Sequence, residues 1–498
     1  MHMHTIRQIF LLSFAFIRTN GQHNPNFKHN RRAIVQLFEW KFADVANECE
    51  TFLGKNNFGG VQVSQVNENI IIKNRPWYER LQPMSFKILT RSGNSHEFLD
   101  MTRRCSEVGV RVYVDIVINH MAAAQTEMIG TAGSTATYKN YPSAGYTEKD
   151  FHRTCSIQNY YDAFQVRNCE LTEKPDLNHG SQYVRSKIVS FMNYLIDLGA
   201  AGFHVSHCKH MWPNELHVKS NYFFMCTGGE SHRDIFLCMS ICVLMTLYLF
   251  RTEYTSFGVV TEFLYSRVIS HIFEDQNSLT ELFKLGPELG FLQSDDALVF
   301  VDNHDTQRGF SSPKNMSLNF KSRKNYIMAI AFLLAYPYGT IRLMSSYNFS
   351  KFDIEQGPPM DENENILSVT LDDDGNCENG WICEHRWKPI VQMVNFRVNV
   401  YGRRITKRRV FDSNTVGFCR EDKGFIVFTS RNFSSLVGNL IFVCVPRGKY
   451  CDVIAGYDEK GNCLSIVNVD SESKSILFKT KDSNNNGVLA IHVGSRLD

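Results

Sequence analysis

LVFVDNHDTQRG, residues 298–309, passes within a few positions from an apolar, strand-like run to Asp302, Asn303, His304, Asp305, Gln307 and Arg308. Packing alone does not call for such a cluster of carboxylate, imidazole and guanidinium groups. In an α/β barrel the functional side chains gather where the strands end, so the stretch reads as one wall of a catalytic site. A surface turn capped by Asp and Asn would use some of the same residues. The two readings part on whether other strands of the chain end in the same way.

Several do. AIVQLFE (33–39) leads into a helical pattern over 44–52, GGVQVS (59–64) ends at Asn67-Glu68-Asn69, and VRVYVDIVI (110–118) ends at Asn119-His120. GFHV (202–205) follows the amphipathic run 183–198, and YGTIRLM (338–344) follows 325–335. This is β/α alternation around a parallel sheet. After His120 the pattern stops, and 121–177 is rich in Thr, Ser, Gly, Asn and Tyr, as an excursion from the sheet would be. From 411 onward, short β-prone segments (415–418, 424–428, 488–492) separated by Gly, Asn and Asp predict an all-β C-terminal domain. The expected organisation is a leader (1–21), a first barrel part (22–119), an inserted B domain (120–177), a second barrel part (178–410) and a C-terminal β-domain (411–498).

Composition agrees with that plan. A chain of 498 residues is too long for one ordinary core but fits a barrel plus a smaller module. A net charge of +2 with 21% charged residues advertises neither a nucleic-acid face nor an acidic tail. Arg7 precedes IFLLSFAFI (9–17), which is too short to span a bilayer and suits a secretory signal cleaved near Gly21. Secretion permits disulfides, and Cys155 with Cys169, Cys377 with Cys383, and Cys451 with Cys463 are candidate pairs; buried free thiols are the alternative. Asn-x-Ser sequons stand at Asn315, Asn348 and Asn432.

Longer strings carry a family resemblance. LFEWKFADVANECE, NRPWYERLQP, VRVYVDIVINHM, KHMWP, VFVDNHDTQRG and CEHRW make the chain similar to animal α-amylases of glycoside hydrolase family 13 over 31–213 and 252–498. The resemblance implies a (β/α)8 TIM barrel with an inserted B domain and a C-terminal all-β sandwich. It also implies bound Ca²⁺ and Cl⁻, and endo-hydrolysis of α-1,4-glucosidic bonds in starch and glycogen with retention. The expected protein is secreted and monomeric, takes α-glucans, and has neither nucleic-acid nor membrane partners.

Retaining hydrolysis needs a carboxylate nucleophile and a protonated acid about 5 to 5.5 Å apart. By resemblance Asp305 is the family's third, transition-state acid, and His120 and His304 contact the sugar ring. The family writes the next motif G-F-R-[VI]-D-A-x-K-H-M-W-P, whereas residues 202–213 read GFHVSHCKHMWP. Ser206 therefore stands at the nucleophile position, a weak nucleophile without a dedicated base and unable to stabilise an oxocarbenium centre by charge. His207 follows it, and strand alternation predicts that the two side chains point apart, so no Ser-His dyad is expected. His204 replaces the chloride-binding Arg, while Asn303 and Arg342 match the other two chloride ligands.

The general acid's position falls on Ser240 or, counted from Gly228-Gly229-Glu230, on Phe223. It lies within or beside the anomalous segment 214–251, whose IFLCMSICVLMTLYLF (235–250) holds no acid. Three readings stay open for that run: a transmembrane helix, a divergent buried helix or strand, and a frame-shifted or intron-derived translation.

The resemblance further assigns Asn119 and Asp176 as side-chain ligands of Ca²⁺, a cation that takes about 6 to 8 oxygens. Arg167 and His210 would lend backbone carbonyls. Trp77, Tyr78 and Gln82 match the non-reducing-side subsite, with Tyr78 replacing a family Trp and Leu81 a family Tyr, and Lys209 matches the leaving-group side. The family's Gly-rich closing loop is missing, since Gly309 runs into Phe310-Ser311-Ser312-Pro313. The expectation is an α-amylase-family chain with weak or absent hydrolysis; the alternatives are a secreted, non-catalytic glucan-binding protein and an amylase-like partner of a membrane transporter, against which the short 9–17 run argues.

Overall fold

The computed structural model describes residues 23–123, 127–216, 236–239, 249–274, 278–309, 318–350, 353–431, 440–470, 475–477 and 486–498. The leader, Phe223, Ser240, Asn315, Asn432, the 310–313 segment and most of 214–251 lie outside them. Eight parallel strands close into a barrel: β1 (Ala33–Leu37), β2 (Gly60–Val63), β3 (Arg111–Val117), β4 (Gly202–Ser206), β5 (Phe236–Met239), β6 (Val259–Thr261), β7 (Ala297–Val299) and β8 (Thr340–Ser345). Strands buried on both faces read as near-continuous apolar runs, which is why AIVQL and GFHVS are strands despite weak alternation. β5 comes from the acid-free run: Phe203 pairs with Leu237 and Val205 with Met239 on one side, and Val260 pairs with Met239 on the other.

Helices cover the barrel, among them α1 (Phe42–Glu48), α2 (Ser95–Glu107), α3 (Gln182–Asp197), α4 (Phe263–Glu274), α5 (Arg323–Ala335) and α6 (Lys388–Asn399). Asn94 caps α2 by accepting from the backbone N–H groups of His96 (2.9 Å) and Glu97 (3.2 Å), and the Glu97 carboxylate accepts from Asn94 N–H (2.9 Å). α5 is buried on every side from Tyr326 to Ala335, which fits a helix packed between two layers. One layer is the barrel. The other is the antiparallel sheet of β9 (Ile405–Asp412), β10 (Thr415–Arg420), β11 (Gly424–Thr429) and β12 (Val488–His492).

Period-two alternation gives that C-terminal sheet two apolar faces. Val416, Phe418, Ile426, Phe428, Val488 and Ala490 join the barrel's core, whereas Cys419, Phe425, Val427, Leu489 and Ile491 form a second core with Val443, Val445, Tyr450 and Val467. Arg397 and Arg420 fasten the same junction at the carbonyl end of α5. Arg397 Nη1 donates to Tyr336 O (2.6 Å), and Arg420 donates to Ala335 O (2.5 Å), Val400 O (3.1 Å) and Arg403 O (2.6 Å).

Five disulfides are present among the described residues. The expected pairs Cys155–Cys169, Cys377–Cys383 and Cys451–Cys463 form, and two longer-range bonds join them, Cys49–Cys105 and Cys419–Cys444. No described helix is long and apolar enough to cross a membrane.

Candidate active site

The polar residues expected at strand ends do converge at the C-terminal mouth of the barrel. His304, after β7, stacks on Phe38, after β1, with ring centroids 4.8 Å apart and planes 11° from parallel. Its Nε2 lies 3.6 Å from Asp305 Oδ1, and Trp77 meets it edge-on at 5.3 Å. Trp77 is fixed by donation from Nε1 to Ile354 O (3.0 Å), and Tyr78 OH donates to Glu355 (3.2 Å). Gln82 accepts from Ala123 N–H (2.9 Å) and holds the start of the excursion. Lys209 Nζ sits 5.6 Å over the Tyr160 ring on the other side of the mouth.

Asn303 is the hinge of the 298–309 motif. Its Oδ1 accepts from the N–H groups of Asp305 (3.1 Å) and Thr306 (2.8 Å), turning the chain so that Asp305 leaves the barrel core and keeps its side chain 30% exposed. Beneath it Asp302 is fully buried, accepting from Gln307 Nε2 (2.7 Å) and Tyr326 OH (2.9 Å). Burial pushes its carboxyl up to about 7 against those donors.

Ser206 is the last residue of β4, buried to 7% exposure. His207 departs from the expected strand alternation. β4 has ended by that residue, whose backbone is left-handed (φ 62°, ψ 23°) and opens the short turn Cys208–His210. Its ring consequently lies in the mouth, 5.1 Å from His120. Burial pushes His207 down to about 4, and burial likewise lowers His120, His210 and His304, so these imidazoles are neutral near pH 7.

The neutral state fixes orientations around β3. His120 Nε2 donates to Leu81 O (3.1 Å), which leaves Nδ1 to accept from Asn119 Nδ2 (3.2 Å). Asn119 Oδ1 is then buried without a hydrogen-bond partner among the described residues, and so is Asp176 Oδ1, whose other oxygen binds His152 Nδ1 at 2.7 Å. His120 and Asp176 are paired across a β-bridge, so the orphaned oxygens come from neighbouring strands. Burial raises the Asp176 carboxyl to about 7. Two buried oxygens lacking a hydrogen-bond donor form an environment suited to a hard cation. His210 Nδ1 bonds Val166 O (2.8 Å), which brings the carbonyl-bearing stretch at Arg167 against the turn after β4.

The three residues expected around chloride have other engagements. His204 contacts the Asp115 carboxylate, and Arg342 donates to Gln62 Oε1 (3.1 Å), whose amide in turn donates to Asp115 (2.9 Å). Burial would raise Asp115, but His204, His304 and Arg342 together hold it below the usual carboxylate range. The Asp115 carboxylate thus already engages the groups that would meet an anion here, and the set is poorly suited to a second negative charge.

A barrel with an inserted excursion, an all-β C-terminal unit and an aromatic-histidine-carboxylate mouth defines the architecture of a sugar-processing barrel protein. Family models for "Alpha amylase, catalytic domain" and "Alpha amylase, C-terminal all-beta domain" match residues 85–235 and 411–494. An alpha-amylase of Tenebrio molitor is 44% identical over 486 residues, 96% of this chain and 100% of its own. An alpha-amylase-related protein of Drosophila ananassae is 44% identical over 98% of both chains. The crystal structure of alpha-amylase I from Eisenia fetida superposes with a TM-score of 0.86 at 32% identity, covering 94% of this chain and 98% of that one. A mutant of that earthworm enzyme, solved as a maltohexaose complex, superposes equally well. The chain belongs to the α-amylase family.

Proposed function

We propose that this member of the family is a secreted α-glucan-binding protein whose hydrolysis of starch and glycogen is weak or absent. Ser206 at the mouth of β4 carries the reading: double displacement needs a carboxylate there to attack the anomeric carbon, and a hydroxyl supplies neither the charge nor a competent leaving group. The sugar-facing wall of Trp77, Tyr78, His304 and Asp305, on the other hand, is assembled and supports glucan binding. The maltohexaose complex of the earthworm relative points to the same ligand class. Purified protein is expected to be retarded in amylose-containing gels while releasing no reducing ends from soluble starch. Turnover at ordinary amylase rates would overturn the reading.

Calcium fits the orphaned oxygens of Asn119 and Asp176, with the carbonyls of Arg167 and His210 completing the set. When bound, the ion would tie the excursion to β3 and β4. Chelation is then expected to lower the melting temperature, and added Ca²⁺ at about 100 times its Kd to restore about 2.7 kcal/mol. Chloride binding is weak in this reading, because His204 is turned to Asp115. The five disulfides support an oxidising, extracellular setting, and a monomer is the expected state.

A further inference from the structure

His207 has no counterpart in the family pattern, which places Ala after the nucleophile. His207 sits in a left-handed turn, a conformation uncommon for residues with a β-carbon but one that His, like Asn and Asp, adopts more readily than most. Its effect is to swing the imidazole back over the end of β4. There the ring meets His120 edge-on at 5.1 Å and His210 at 6.5 Å, and the charged and titratable groups acting on it are Asp305, Lys174, Lys209, His304, His120 and His210. These come from the ends of β3, β4 and β7 and from the excursion. The ring therefore stands among the strand-end residues expected to touch a sugar, against His120 and under the influence of His304 and Asp305.

Two details distinguish an obstruction from a sugar contact. His207 Nδ1 is buried and has no hydrogen-bond partner among the described residues, although the residue as a whole is partly exposed, so that nitrogen is turned away from solvent and from any hydroxyl in it while the ring stays in place. His120, the neighbouring histidine, is fully buried, with both nitrogens committed to Leu81 and Asn119 and the His207 ring packed edge-on against it.

We infer that His207 is a specificity-determining residue that fills the central sugar pocket, so that the cleft holds long α-glucans along its outer aromatic wall and refuses a glucose unit between Ser206 and Asp305. The inference rests on the glucan-binding reading. Short oligosaccharides, which depend on the central pocket, are the ligands most penalised.

The test compares wild-type protein with His207→Gly, which suits the left-handed turn, and His207→Asn, which tolerates it and is smaller. Maltotriose affinity is measured by titration calorimetry, amylose affinity by gel retardation, and folding by thermal melting. Opening the pocket is expected to tighten maltotriose binding at least about tenfold, with a smaller gain in Asn and little change for amylose. Loss of an ordinary structural side chain would not raise affinity. Unchanged or weaker maltotriose binding by both folded variants, with amylose still bound, overturns the inference and leaves the glucan reading standing. If no folded variant and no wild-type protein binds either glucan, both fall.

Discussion

A hydroxyl at position 206 changes the chemistry of the mouth more than its shape, and that separates what substitution can repair from what it cannot. Ser206→Asp returns an attacking carboxylate but not an acid to protonate a departing sugar oxygen. A missing general acid costs about 10²- to 10⁴-fold. Combined with His207→Gly, which opens the pocket, Ser206→Asp is accordingly expected to leave starch nearly untouched while releasing fluoride from α-maltosyl fluoride, whose leaving group needs no proton; a fluoride electrode compares the double variant with His207→Gly alone, and equal rates would contradict the nucleophile assignment. Ser206 was legible in the sequence because Gly202, Phe203 and the Lys209–Pro213 string bracket it. His207 was misread for a physical reason: alternation holds only while the strand lasts, and β4 stops one residue earlier.

Elements beneath the mouth carry their own titration. Asp302, on the loop after β7, is bound by Tyr326 of α5 and by Gln307, and Glu384 accepts from Ser346 N–H (2.7 Å) close by. Burial raises both carboxyls, and the nearby Asp302 raises Glu384 further. The folded protein therefore holds protons that the unfolded chain releases. Their stabilisation is fully present below the unfolded value, about 4, and is lost as pH rises through about 7 for Asp302 and about 8 for Glu384. Asp302→Asn removes that titration, so its melting temperature is expected to fall less than the wild type's between pH 5 and 8; parallel slopes would show that the proton resides elsewhere. At this scale the polar-ended strands were legible, since β1, β3 and β7 announce themselves by apolar runs that stop at Glu39, Asn119 and Asp302. β5 was not, because four apolar residues inside a uniformly apolar run look the same as helix or strand. Cys49–Cys105 and Cys419–Cys444 escaped notice because no short spacing marks partners brought together by helix and sheet packing.

The barrel and one face of the C-terminal sheet share a single apolar core, so the whole molecule is expected to unfold as one cooperative body. Arg420 reaches from β10 to three carbonyls across that junction. Hydrogen bonds from a charged donor contribute about 1.5 to 3 kcal/mol, so Arg420→Met is expected to destabilise by that order. All five tryptophans belong to the barrel side, at 40, 77, 212, 381 and 387. Their fluorescence should consequently report the C-terminal substitution as a lower urea midpoint in a single transition; two separated transitions would show independent units. β5 has a consequence of another kind. Its place in the barrel is secured by peptide groups pairing with β4 and β6, and every residue except proline offers the same peptide donor and acceptor whatever its side chain. The frame of the barrel is thus inherited through its backbone: the fifth strand can drift among apolar residues other than proline and keep its pairing with β4 and β6, so changes in its spelling pass selection on folding independently of what they do to the groups at its end.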